Sequence, residues 1–287
     1  MKKVIDISNS FSDGLKYRFR KYFRFNNSVY WKRYYQEKLK NNDVGREKMY
    51  ANIINNYTLH LPSPKVLDIG SGFGFLLKEI SSLGIQSFGV DLFDEMLNEA
   101  KSYLKGTNVK LQKADVLDLP FEENYFDCII LMSVIEHLAI QEVENDILVY
   151  VRKFIKPNGY LFIHVPVRSF YSIFARFFRK YILKDLPNWA IDDDGDVTHK
   201  MWLSYSEYIE MIEKCGFELV NYDFRTTRSN LKPKIVNDLM SNLQKVLDNS
   251  DPELKLTYAN ESFLVKSLKK LKSTFALTSY FLFRKVE

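Results

Sequence analysis

Two cysteines in 287 residues, Cys128 and Cys215, are too few for a disulfide-stapled secreted scaffold or a zinc site of four cysteines. Long hydrophobic runs are also missing: charges interrupt every apolar stretch before it reaches the length of a spanning helix. Met1-Lys2-Lys3 is not followed by the continuous apolar core of a secretory signal. There is no low-complexity linker and no internal repeat, which favours one embellished domain over two. Together these absences predict a soluble, cytoplasmic chain.

What is abundant is apolar and aromatic. Hydrophobic residues make up 46%, aromatics 15% with 22 Phe and 18 Tyr, and charged residues 27%, which excludes a disordered chain. The net charge of +5 is unevenly placed. Residues 1–64 carry 13 basic and 5 acidic side chains, whereas residues 65–166 carry 9 basic and 15 acidic. A basic aromatic flank therefore precedes an acidic middle. Such a flank is either a solvated helical face or a contact for anionic lipid, phosphate or nucleic acid.

Read in order, residues 16–40 mix cations and rings, among them Tyr34 and Tyr35, and are compatible with helix. Residues 45–58 read as a second helix, stopped before Pro62 and Pro64. Short apolar strands then alternate with helical spacings. Strands are predicted at Lys65–Ile69, Ser87–Asp91, Val109–Lys113, Phe126–Met132, Tyr160–Val165, Phe217–Phe224 and Ser279–Arg284. Helices are predicted at Phe75–Leu83, from Asp94 (as N-cap) to about Leu104, at 142–155, 204–215, 233–247 and 261–273. Pro157-Asn158-Gly159 reads as a turn. This alternation specifies an α/β fold: a Rossmann-like, mostly parallel seven-stranded sheet with helices on both faces. Residues 1–64 would be a helical flank or lid, residues 65–287 the domain proper, with insertions at about 167–200 and 226–275. A ligand would bind outside the carboxyl ends of the strands.

The strongest local signal is Val66-Leu67-Asp68-Ile69-Gly70-Ser71-Gly72-Phe73-Gly74, a strand running into glycines that let the backbone approach a ligand closely. Glycines alone are shared by many nucleotide folds. Three carboxylates narrow the reading. Asp68 at the strand end can face a cation, Asp91 ends the second strand 21 residues after Gly70 and suits a ribose, and Asp115 after the third strand suits an adenine amino group. An amine, a ribose and an adenine describe S-adenosylmethionine (SAM) better than a dinucleotide. The third glycine also comes one residue early for the dinucleotide G-x-G-x-x-G pattern.

On these residues the sequence resembles the class I SAM-dependent methyltransferases, from about Lys65 to Phe224 and again in the last strand. Leu119-Pro120-Phe121, Tyr125-Phe126-Asp127 and Lys156-Pro157-Asn158-Gly159 are similar to the small-molecule branch that includes quinone-pathway enzymes. The resemblance implies that Asp68, Gly70, Ser71, Gly72 and Gly74 bracket the methionine part of SAM. It implies further that Asp91 binds the ribose with Leu92 beside the adenine, and that Asp115 and Val116 read the adenine edge. Met132 and Ser133 would supply backbone carbonyls near the amino group.

Methyl transfer from a sulfonium is an in-line displacement that needs alignment and exclusion of water, and a base only where the acceptor must lose a proton early. His199, in Asp196-Val197-Thr198-His199-Lys200, is the candidate base, with anchoring of the insertion as its competing role. His137, the second catalytic candidate, belongs to Val134-Ile135-Glu136-His137-Leu138, similar to a segment that binds a cation in some quinone-pathway enzymes; Ser133 stands where their first glutamate would be, so no metal is predicted and a structural histidine near the SAM pocket is the favoured reading. His60 and His164 read as structural. The Asp192-Asp193-Asp194-Gly195-Asp196 run lacks the spacing of a calcium loop and reads as a solvated turn.

Neither a Pro-Pro-aromatic motif after the fourth strand nor a paired-glutamate loop is present, which disfavours amino-methylating nucleic-acid enzymes and arginine methyltransferases. Cys128 lies within a strand, not in a loop where a nucleophile would stand. The aromatic segment from Phe170 to Leu183, with Arg176, Arg179 and Lys180 at its centre, suits a lid, an apolar pocket roof or a membrane-surface helix. The expected acceptor is a small, hydrophobic or lipid- or glycan-linked metabolite methylated on O, C or N, with peripheral membrane contact as an added option. An RNA methyltransferase using the basic flank and a non-catalytic SAM-binding protein stand as alternatives.

Overall fold

The computed structural model describes residues 35–36, 38–41, 44–170, 173, 201–225 and 278–286. The helices predicted at 233–247 and 261–273 and most of the 167–200 insertion lie outside them. Among the described residues, seven strands form one sheet in the order β3-β2-β1-β4-β5-β7-β6. The described residues fall into two compact units, divided in sequence between Ile129 and Ile130.

In the first unit, α1 (Gly45–Thr58) buries Tyr50, Ala51, Ile54 and Thr58, spaced to lie on one helical face. Strand β1 (Lys65–Ile69) follows, then α2 (Phe75–Ser82), β2 (Gln86–Asp91), α3 (Asp94–Tyr103), β3 (Lys110–Lys113) and the start of β4 (Phe126–Met132). β1 pairs with β2, and β2 with β3, all in parallel. β1 and β4 are apolar almost throughout, as strands covered on both faces must be. Full burial of each such Leu, Ile or Phe contributes roughly 1.5–3 kcal/mol.

The Tyr125-Phe126-Asp127 run acquires a structural role here. Phe88, Phe121, Tyr125 and Phe126 meet largely edge-on, with Phe121 and Phe126 centroids 4.9 Å apart. Lys65 places its ammonium 3.8 Å from the Tyr125 ring centroid. Asp127 Oδ2 accepts the Lys65 backbone N–H at 2.8 Å and so satisfies the first donor of β1.

In the second unit a 3₁₀ turn (Ile135–His137) leads to a helical run. It consists of α4 (Ile140–Glu142), a π-helical turn (Val143–Ile147) and α5 (Leu148–Arg152). Strand β5 (Ile155–Pro166), α6 (Tyr205–Lys214), β6 (Phe217–Arg225) and β7 (Thr278–Lys285) complete it. β7 runs antiparallel to both β5 and β6. Ser204 caps α6 reciprocally with Glu207: the Ser204 N–H donates to the Glu207 carboxylate at 2.6 Å, and the Glu207 N–H to the serine hydroxyl at 3.4 Å.

Two expectations need correction. Asp94 is not the N-cap of α3; Phe93 is, with no side-chain cap, and its own N–H donates to Asp91 Oδ1 at 3.0 Å. The Asp94 carboxylate instead pairs with Lys113. The helix predicted at 142–155 ends at Arg152, and Pro157-Asn158-Gly159 lies within β5. Asn158 has a left-handed φ of 60°, and the ladder with β7 begins only at Tyr160, so the turn signal marks a bend in the strand.

Candidate functional site

Every predicted cofactor residue of the first unit lies at or just beyond the carboxyl ends of β1, β2 and β3. The glycine loop leaves β1 with its Gly70 and Ser71 N–H groups both donating to the Val90 carbonyl, at 2.8 and 3.0 Å. Gly70, Gly72 and Gly74 all have positive φ, 73°, 53° and 76°. Such a backbone favours glycine, so the three positions are fixed by conformation before any ligand is considered.

Asp91 holds the loop from beside it. Its Oδ2 accepts the Gly72 N–H at 2.9 Å while its Oδ1 accepts from Phe93. Asp68, on the neighbouring strand, is 2% exposed, and its Oδ1 has no partner among the described residues. Burial, and then the nearby charge of Asp91, push the Asp68 carboxyl well above the ordinary aspartate range. Burial also raises Asp91, although the N–H groups of Phe93, Gly72 and Leu92 pull it back.

Asp115 follows β3, where the Ala114 N–H donates to the Asp91 carbonyl at 3.2 Å and so carries the third carboxylate to the end of β2. Asp115 Oδ1 accepts from the Leu117 N–H at 3.0 Å in an Asx turn, and its buried Oδ2 is without a partner among the described residues. Val116 beside it is buried and Leu92 half-buried. The first unit therefore brings Asp68, Asp91 and Asp115 to consecutive strand ends, with orphaned acceptors on the first and third. Buried acceptors without donors are costly, and a ligand bearing a cation and further N–H groups satisfies this set.

In the second unit, Met132 ends β4, and Ser133 follows with a left-handed φ of 59°, uncommon for a residue other than glycine. Its N–H donates to the His164 carbonyl at 2.9 Å, and its hydroxyl stands 3.5 Å from His164 Nδ1. His137 is buried within the 3₁₀ turn. The Met201 N–H donates to the Glu136 carbonyl at 3.0 Å, so the chain returning from the 167–200 insertion passes beside that turn. Arg168 and Leu203 are likewise bonded through their backbones at 2.7 Å, and the Arg168 guanidinium grips both Glu207 oxygens at 2.7 Å. His199 lies outside the described residues.

Sequence reasoning missed Gly89 in the middle of β2. A Cβ there would stand 2.5 Å from Leu77 Cδ1, 2.8 Å from Leu111 Cδ2 and 2.9 Å from Ser71 Oγ. The available signal was a glycine inside a strand otherwise made for burial, which marks close approach by a neighbour. It also passed over the Ser133–His164 pairing, because two residues 31 apart in sequence give no local sign of meeting.

Residues 67–163 match the family model described as a methyltransferase domain. The chain is 29% identical over 182 residues to a ubiquinone biosynthesis O-methyltransferase of Pelagibacter ubique (strain HTCC1062), covering 60% of this chain and 71% of that relative. It is 26% identical over 162 residues to a demethylmenaquinone methyltransferase of Tropheryma whipplei (strain Twist), covering 54% and 66%. Among solved structures, a SAM-dependent methyltransferase from Archaeoglobus fulgidus superposes with a TM-score of 0.51 at 20% identity, covering 88% of this chain and 99% of that one. That similarity bears out the expected fold.

Proposed function

We propose that the chain is a class I SAM-dependent methyltransferase that methylates a small hydrophobic acceptor of quinone type, at an oxygen or a ring carbon, a reading supported by its likeness to a methyltransferase domain and to quinone-pathway enzymes. The observation that carries the donor site is the row of Asp68, Asp91 and Asp115 at consecutive strand ends, with buried acceptor atoms awaiting donors. Bound there, SAM supplies a methyl group on a sulfonium, already activated for in-line displacement. The chain's residues would bind and orient it. The Asp68 carboxylate would hold the amino group, and Asp91, fixed by the Gly72 and Phe93 N–H groups, would offer its remaining lone pairs to the ribose hydroxyls. Asp115 and Val116 would face the adenine edge, with Leu92 packed beside the ring. Met132 and Ser133 would present backbone carbonyls to the amino group, and Gly70, Ser71, Gly72 and Gly74 would line the methionine part.

The acceptor class is supported by the printed activities of the relatives, a ubiquinone biosynthesis O-methyltransferase and a demethylmenaquinone methyltransferase. Hydroxyls on such rings ionise far more readily than aliphatic ones, so one histidine would suffice as base. His199 is the candidate for that role, with buried His137 as the second candidate or as a structural histidine near the SAM pocket. The apolar acceptor accords with Phe170 and Ile173, 74% and 50% exposed, joined in one helical turn by the hydrogen bond from the Ile173 N–H to the Ser169 carbonyl. Two exposed apolar side chains leading into an aromatic, cationic segment support peripheral contact with a membrane that stores a lipophilic substrate. Among the described residues no helix is long and apolar enough to cross one.

The test is transfer of label from methyl-tritiated SAM. Counts moving into an organic-soluble hydroquinone or catechol support the proposal; counts moving into added RNA, with a steep salt dependence, would replace it with the nucleic-acid reading.

A further inference from the structure

Tyr35 belongs to the basic aromatic flank, yet it lies against the glycine loop. Its ring stacks on Phe73 with centroids 4.9 Å apart and meets Phe75 at 5.7 Å. At Gly72, a Cβ would stand 2.7 Å from the Tyr35 hydroxyl oxygen and 2.9 Å from the ring carbon that bears it. The loop is therefore bare of side chain on the side that Tyr35 occupies, and the N–H of the same glycine is held by Asp91.

A buried ion pair fixes this approach. Lys38, three residues after Tyr35, places its ammonium 2.6 Å from Glu47 Oε1 and 5.4 Å from the Phe75 ring centroid. The Arg46 guanidinium bonds to the same Glu47 oxygen at 2.9 and 3.1 Å. Lys38 and Glu47 are 8% and 1% exposed. Charges so deeply placed are tolerated only when they meet, so the pair ties Lys38 to Glu47 of α1. Val44, Phe73, Phe75 and Met96 form the apolar cluster beneath, with Tyr35 and Tyr103 packed against it.

Phe73 sits between two left-handed glycines, in a stretch of backbone with little intrinsic preference for one shape. Anchoring its side chain from both sides removes that freedom before the cofactor arrives, and a site ordered in advance loses less on binding. We propose that Tyr35 is a positioning residue for SAM: locked by the Lys38–Glu47 pair, its ring holds Phe73 and Gly72 in the binding shape and thereby sets cofactor affinity. The inference rests on the SAM reading of the glycine loop.

Calorimetric titration of the full chain with SAM and with S-adenosylhomocysteine tests it, alongside thermal unfolding without ligand. Tyr35→Ala is expected to weaken both ligands about tenfold, and Tyr35→Phe, which keeps the stacked ring, to stay within about threefold of the parent. Lys38→Met with Glu47→Gln reproduces the alanine effect in weaker form. A merely structural Tyr35 would lower the melting temperature but leave the dissociation constants of the folded protein unchanged, and that result overturns the inference. If Tyr35→Ala fails to fold, Tyr35→Leu takes its place, with the same two outcomes. A parent chain that binds neither ligand overturns the SAM reading and this inference with it. Binding that is lost in Asp91→Ala yet unaltered in Tyr35→Ala overturns this inference alone.

Discussion

The Asp91 carboxylate accepts the Gly72 backbone N–H at 2.9 Å and so ties the end of β2 to the middle of the glycine loop. One side chain thus shapes the loop and stands at the strand end expected to meet the ribose. Asp91→Ala removes both functions and is expected to weaken SAM binding by about 10- to 100-fold, the effect of losing one or two charge-assisted hydrogen bonds. Asp91→Asn, which retains an acceptor for Gly72, should fall between the alanine variant and the parent. Equal SAM affinity in Asp91→Ala and the parent, measured by calorimetry, would refute the assignment.

Asp68 predicts a pH dependence. Burial and then the Asp91 charge raise its carboxyl in the unliganded protein, so it keeps its proton well above the ordinary aspartate range. A bound ammonium favours the carboxylate, so binding expels that proton. SAM affinity is therefore expected to rise with pH from the ordinary aspartate range up to the raised value and to level off above it. The ligand-free fold shows the opposite sign, losing stability as pH rises through the same window. Asp68→Asn should flatten its share of both profiles; an unchanged affinity profile in that variant removes Asp68 from the cation site.

Gly89 predicts a packing defect with a binding consequence. In Gly89→Ala the new methyl meets Leu77, Leu111 and the Ser71 hydroxyl, all closer than 3.0 Å. The two leucine methyls can swing aside, but Ser71 belongs to the glycine loop. The expected cost is about 1–3 kcal/mol of stability, read by denaturant unfolding, together with weaker SAM binding. Parent-like values for both would mean that β2 and the loop part without strain.

The membrane reading is tested by co-sedimentation with vesicles of phosphatidylglycerol and phosphatidylethanolamine at moderate salt. Binding is expected in the parent and reduced in Phe170→Ser/Ile173→Ser, which alters two side chains already in solvent. Changing Arg176, Arg179 and Lys180 to Glu should reduce it further. No binding by the parent, or no loss in either variant, would remove the membrane from the proposal.

Much of the fold was legible because its signals are local. The apolar runs at Lys65–Ile69 and Phe126–Met132 are strands to the residue, since short apolar runs bounded by turn residues suit strands covered on both faces. The glycine loop and its three carboxylates were visible for the same reason. What escaped depends on distant partners or on small changes of hydrogen-bond register. The π-helical turn at Val143–Ile147 uses residues that an α-helix would also accept. The N-cap of α3 is Phe93, which carries no capping side chain, so the acid at position 94 misled. Tyr35 could be read as one more ring in a blurred amphipathic stretch; only folding sets it against Gly72.

The position of β7 has a kinetic consequence. This strand is synthesised after the other six described strands, yet it lies between β5 and β6 and pairs with both. Until it emerges, two strands made earlier expose unsatisfied edges, and the core side chains Phe281, Leu282 and Phe283 are missing from the space they fill. The second half of the sheet must then close late, through contacts distant in sequence, which is a slow step and one prone to aggregation. A released chain truncated before Thr278 should depend on chaperones far more than one that retains β7.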